Sequence, residues 1–166
     1  LCLAGGVALN CVANGKLLRE KIFDEIWIQP ASGDAGSALG AALIGWHQHH
    51  RQKRVVNPND SMKGTFLGPK YSEFEIEKQL QESKATYKKV SYGDMIKFTA
   101  QNLSIGKAVG WFQGRMEFGP RALGSRSILG DPRSEKTQKT LNLKVKYRES
   151  FRPFAPSVLS EHVSNW

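Results

Sequence analysis

Between residues 115 and 152 the sequence sets ten Lys and Arg against four Asp and Glu. The densest part, "EFGPRALGSRSILGDPR" at 117–133, carries Arg121, Arg126 and Arg133, and Arg115 lies just upstream. An arginine is a rigid fork of donors that fits phosphate or carboxylate two bonds at a time. Gly114, Gly119, Gly124 and Gly130 alternate with these arginines. Such glycines let the main chain approach an anion closely, so that backbone N–H groups join the cradle. Pro120 and Pro132 fix the chain at two further points. This pattern predicts a preorganised pocket for dense negative charge. A second basic group follows in Lys144, Lys146, Arg148 and Arg152, with Asn142 as a neutral donor and acceptor.

The plainer alternative is a solvated basic face with structural pairs to Glu117 and Glu149. The net charge of +9 asks for an anionic partner. Charge alone does not choose among nucleotide, phosphorylated metabolite and nucleic acid. The segment lacks aromatics spaced for base stacking, and Trp111 and Phe112 fall in an expected core strand, which argues against nucleic acid.

Three other groups could do chemistry. "AGG" at residues 4–6 leads into a helical pattern, where backbone N–H groups favour phosphate, although a tight turn alone explains it. Asp34 in "SGDAG" stands where a helix N-cap belongs. His47, His49 and His50 invite a metal, but they lack i, i+4 spacing and precede "RQKR", so a solvated helix tail is expected.

The elements that must position these groups read as α/β. Residues 1–50 give strand, helix, strand, helix, with glycine turns at the handovers. Residues 51–70, polar, basic and marked by Pro58 and Pro69, read as an inter-domain connection. From residue 71 a second unit begins, with Ser72 and Glu75 at capping-box spacing. A helix is expected over 93–104, a buried strand in "KAVGWFQG", a helix over 134–145 and an extended "FRPFAPSVL". No apolar run is long enough to span a bilayer. Two cysteines, Cys2 and Cys11, make no disulfide framework, so a reducing, cytoplasmic setting is expected. The opening "LCLAGG" reads as a buried strand without an initiator Met, as in an internal piece of a longer protein.

"GRMEFGPRALGSRSILGDPRSEKTQKTLNLKVKYRESFRPFAPSVL" closely resembles the signature of the carbamoyltransferase family, which includes NodU-type nodulation proteins and antibiotic O-carbamoyltransferases. "LCLAGGVALNCVANGKLL" with "PASGDAGSALGAAL" resembles the end of that family's amino-terminal domain. The resemblance implies the end of an actin/hexokinase-like domain over 1–50, the linker at 51–70, and the first part of a threonylcarbamoyl-AMP-synthase-like α/β domain over 71–166. It implies that carbamoyl phosphate and ATP, as co-substrate, form a carbamoyl adenylate, whose carbamoyl group passes to a small-molecule hydroxyl acceptor.

On that reading Arg115, Arg121 and Arg126 are the catalytic candidates. Arg148, Arg152, Lys144, Arg133, Gly119 and Gly124 would bind substrate or ATP phosphate, with Arg133 held more loosely because Asp131 could pair with it. Gly5, Gly6 and Asn10 would bind nucleotide, and Asp34 would be a ligand of a divalent metal, iron or magnesium, in the complete protein. A non-catalytic nucleotide- or RNA-binding module is the competing class, and a homodimer is compatible with either. As a piece, the chain alone is expected to be inactive.

Overall fold

The computed structural model describes residues 1–165. Elements follow in the order β1 (Cys2–Leu3), α1 (Cys11–Glu20), β2 (Trp27–Ile28), α2 (Asp34–Ile44), α3 (Glu73–Glu82), α4 (Tyr92–Ser104), β3 (Val109–Phe112), β4 (Arg126–Leu129) and α5 (Glu135–Thr140). β1 and β2 pair in parallel, Cys2 opposite Trp27 and Leu3 opposite Ile28. β3 and β4 form a second small sheet. The architecture is α/β, as the residue pattern predicts.

Local chemistry explains the helix boundaries. Asn10 caps α1, its Oδ1 accepting from the Ala13 amide at 3.1 Å. At α3 the capping box forms as its spacing predicts: the Glu75 amide donates to Ser72 Oγ at 3.3 Å, and the Ser72 amide donates to Glu75 Oε2 at 2.7 Å. Ser91 repeats the device at α4, accepting from the Asp94 amide at 3.1 Å. Gly106, at φ +80, closes α4, and the Lys107 amide returns to the Asn102 carbonyl at 3.0 Å. α2 and α5 each run on into a wider turn, over Gly45–His49 and Leu141–Val145.

Two features differ from the expectation. Asp34 is the first helical residue of α2 rather than its cap; Gly33 takes the cap position. The strands expected to be buried are partly open, Cys2 being exposed and Phe112 55% exposed; within the arginine segment Arg126–Leu129 forms β4 against β3.

Two compact units emerge: residues 1–79 with 112–126, and residues 80–111 with those from Ser127 onward. Completely buried apolar side chains are few, chiefly Ala8, Ala31 and Leu141. The surface is 13872 Å², whereas a folded monomer of this mass exposes roughly 8,200 Å² and two separately folded bodies of these sizes roughly 9,900 Å². Val7, Phe74, Tyr92, Phe98 and Ile105 are each largely open to solvent. Where such side chains are contiguous, they mark interaction surfaces. The isolated 166-residue chain is therefore expected to enhance the fluorescence of an apolar-surface dye several-fold over a compact protein of equal mass. No enhancement would mean that these faces are covered.

Candidate functional site

The arginine loop is organised around a carboxylate. Glu117 is only 5% exposed. Its Oε1 accepts from the amides of Leu123 at 2.7 Å, Ser125 at 2.7 Å and Arg126 at 3.3 Å. Burial pushes the Glu117 carboxyl up, but the amides of Leu123, Ser125, Glu117 itself and Arg126 outweigh it and hold the group below the ordinary glutamate range. Gly119 at φ +117 and Gly124 at φ +105 supply the left-handed turns that let the chain circle this group. A Cβ on Gly119 would stand 3.3 Å from the Ala31 Cβ, so the loop leans on the segment leading to Asp34. The residues alone suggested Glu117 as an arginine partner; its isolation among cations and glycines was the signal for a backbone anchor.

Around this anchor the cations divide by what holds them. Arg126 donates through Nη1 to the carbonyls of Gln113 at 2.7 Å and Ser125 at 2.9 Å, and through Nη2 to Gly114 at 3.3 Å. Its guanidinium also lies 3.4 Å from the Phe112 ring centroid. Arg115 donates to the Gly68 carbonyl at 2.8 Å. Arg121 is exposed and has no partner among the described residues. It is the guanidinium left available on the loop.

In the second unit Asn142 plays the corresponding part, fully buried. Its Nδ2 donates to the carbonyls of Ser150 at 3.1 Å and Arg152 at 2.8 Å, and its Oδ1 accepts from Arg148 Nε at 2.7 Å. Arg148 is thereby held at its Nε, and its guanidinium carbon lies 5.0 Å from the Phe154 ring centroid. Arg152 pairs with Glu149 at 2.8 Å. Arg133 forms a two-pronged pair with Asp131, with Nε to Oδ1 at 2.9 Å and Nη2 to Oδ2 at 2.7 Å. The Arg133 side chain, and then its amide, hold the Asp131 carboxyl at about 2. Lys144 is exposed without a partner among the described residues.

Near the amino end, Gly5 adopts φ +86 just before a short helical turn, and a Cβ on Gly6 would meet nothing within 4 Å. Asn10 has its carbonyl oxygen engaged as the α1 cap. The Asp34 carboxylate is exposed on the first turn of α2 and has no partner among the described residues. Two residues earlier the Ser32 hydroxyl is buried with no hydrogen-bond partner. No cluster of three metal-ligating side chains occurs among the described residues. His47 turns Nδ1 to the Gln52 carbonyl at 2.8 Å.

The carboxy-terminal model of the carbamoyltransferases matches residues 100–166, and the amino-terminal model matches residues 1–43. The chain belongs to the carbamoyltransferase family. It is 60% identical to an uncharacterized protein of Synechocystis sp., over 100% of this chain and 27% of that relative. It is 44% identical to nodulation protein NolO of Bradyrhizobium diazoefficiens, over 100% of this chain and 30% of the relative. The 3'-hydroxymethylcephem-O-carbamoyltransferase of Streptomyces clavuligerus is 33% identical over 94% of this chain and 27% of its own length. The chain thus spans less than a third of these relatives. No helix among the described residues is long and apolar enough to cross a membrane.

Because Glu117 is ionised more readily when folded, its contribution is complete above the unfolded glutamate value near about 4.3 and is lost as pH falls through the lower folded value. The amide signals of Leu123 and Ser125 should therefore move together on acidification, with a midpoint below that of an ordinary glutamate; a midpoint at or above the ordinary value would contradict the arrangement. Glu117→Ala, which strands buried amides, should destabilise by about 2–3 kcal/mol in chemical denaturation, and Glu117→Gln by less.

Proposed function

We propose that the full-length protein is an ATP-dependent O-carbamoyltransferase. In this reading water releases inorganic phosphate from carbamoyl phosphate, and the carbamate so formed attacks the α-phosphorus of ATP to give a carbamoyl adenylate and pyrophosphate. The carbamoyl group then passes to the hydroxyl of a small-molecule acceptor as AMP leaves. The observation that carries it is Arg121: an unpartnered guanidinium on a glycine loop clamped by Glu117, inside the region that matches the carboxy-terminal carbamoyltransferase model. Bringing a triphosphate beside carbamoyl phosphate sets two polyanions together, and fixed positive groups offset both that repulsion and the charge that develops during reaction.

The residues take graded roles. Arg121 reaches the phosphate directly. Arg126 and Arg115 spend part of their forks on carbonyls and offer the remaining N–H groups to the same ligand. Gly119 and Gly124 let main-chain donors approach. Within the second unit, Arg148, Lys144 and Arg152 are the further candidates for binding substrate or ATP phosphate. Arg133, closed on Asp131, acts as scaffold.

The domain reading assigns 1–50 to the end of an actin/hexokinase-like transfer domain, 51–70 to a connection and 71–166 to the beginning of a threonylcarbamoyl-AMP-synthase-like domain. Gly5 and Gly6 would meet nucleotide in the first, with Asn10 shaping the turn. Asp34, exposed and unpartnered, fits one position of a divalent metal site, and a single carboxylate needs further ligands from elsewhere in the full-length protein. When bound, the metal would orient the adenylate for transfer.

Two experiments test this reading. Arg121→Lys keeps the charge and loses the planar fork, so it should weaken ATP or carbamoyl phosphate binding by the full-length protein by about 1.5–3 kcal/mol, the worth of a charge-assisted hydrogen bond. Arg133→Lys should leave that affinity near wild type. Calorimetric titration reads both, and equal effects would return the segment to a diffuse basic face. Asp34→Asn should lower metal content in the purified full-length protein; undiminished metal would remove Asp34 from the ligand set. Absence of pyrophosphate release from carbamoyl phosphate plus ATP, with every acceptor offered, would sink the enzyme reading and leave a binding module.

A further inference from the structure

Residues 60–69 lie outside both matched regions and contribute no arginine. They are nonetheless bonded along the start of the arginine loop. The Gly68 amide donates to the Met116 carbonyl at 2.9 Å, and the Met116 amide returns to the Pro69 carbonyl at 3.0 Å. The Phe118 amide donates to the Thr65 carbonyl at 2.6 Å, and Arg115 Nη1 reaches the Gly68 carbonyl at 2.8 Å. The amides on both sides of Glu117 are thus pinned to one strip of chain. Pinning 116 and 118 holds the backbone on either side of the Glu117 carboxylate.

The strip is itself held. Asp60 accepts the Met62 amide on Oδ1 at 2.9 Å and the Gly64 amide on Oδ2 at 2.7 Å. Lys63, Gly64 and Thr65 follow at φ +49, +61 and +71. For a β-branched residue such as Thr65 that region is strained, and it persists only where surrounding bonds determine it. Thr65 is 2% exposed. Gly68 permits the closest approach: a Cβ there would stand 2.8 Å from the Met116 carbonyl oxygen and 2.9 Å from the Met116 Cβ. Any side chain at 68 would push the two strips apart.

We propose that residues 65–69 are a positioning segment for the anion-binding loop, with Gly68 setting its distance from Met116. Gly68 acts through Arg115 and Glu117 rather than on a ligand. The proposal rests on the reading of the arginine loop as a phosphate binder, and hydrogen exchange separates the two ideas because it needs no ligand.

The test uses the full-length protein with Gly68→Val, the milder Gly68→Ala should the first fail to fold, and Gly93→Ala as a control at a position open around its Cβ. In the wild type the Met116 and Phe118 amides should exchange slowly. In the Gly68 variants both should lose protection while amides within α4 keep theirs. With ATP varied, KM should rise about tenfold or more and kcat at saturating ATP should stay within about threefold, the signature of disturbed positioning rather than lost chemistry. A general loss of stability would instead expose amides everywhere. Unprotected Met116 and Phe118 amides in the wild type, or wild-type protection and KM in both Gly68 variants, would overturn the proposal. Selective loss of protection in a protein that binds neither ATP nor carbamoyl phosphate would uphold the positioning segment and defeat the functional reading.

Discussion

The buried Glu117 carboxylate is the constraint on which the arginine loop depends. A carboxylate withdrawn from water is costly unless donors replace the lost hydration. Here the donors are main-chain amides from the far side of the same loop, at Leu123, Ser125 and Arg126. The group is satisfied only when the loop is closed, so the cost of burial becomes a preference for one loop shape. The same logic holds in weaker, uncharged form at Asn142, whose amide collects carbonyls from residues 150 and 152 and holds the Arg148 stem. Both anchors gather main-chain atoms around one buried polar side chain.

Cations placed this densely repel one another, and the chain answers by giving most of the arginines local partners. Arg126 faces carbonyl oxygens and the Phe112 ring, Arg133 faces Asp131, and Arg152 faces Glu149. A guanidinium bound to neutral carbonyls keeps its charge and gives up freedom, so its field remains while its direction is fixed. Arg121 stands apart from this arrangement. Because its loop is closed from within by Glu117, an anion arriving there would meet a guanidinium whose base is already ordered, which reduces the entropy lost on binding.

Helices α3 and α4 are amphipathic and well capped, yet Phe74, Tyr92 and Phe98 remain exposed. Capping fixes where a helix starts and says nothing about what covers its apolar stripe. Relatives such as the nodulation protein NolO extend well beyond the matched region, and this chain covers 30% of that protein.

Much of the local structure was legible in the sequence because its causes are local. Ser72 with Glu75 announced α3, and the residue pattern announced β1, β2 and β3. The arginines, glycines and prolines of residues 115–133 likewise announced a loop rich in donors, and their order carried the family. Position decided the rest. Asp34 moved from cap to first helical residue because Gly33 occupies the cap, a shift of one place that changes whether its carboxylate is engaged. Which arginines stay available depends on carbonyls brought near by folding, such as that of Gly68, 47 residues before Arg115. No periodicity records that meeting: a main-chain carbonyl looks the same at every position of a sequence. The residue types therefore determined the chemistry on offer, and only the tertiary structure decided which groups were spent on holding the loop and which were left to act, because hydrogen bonds to the backbone are set by proximity in space.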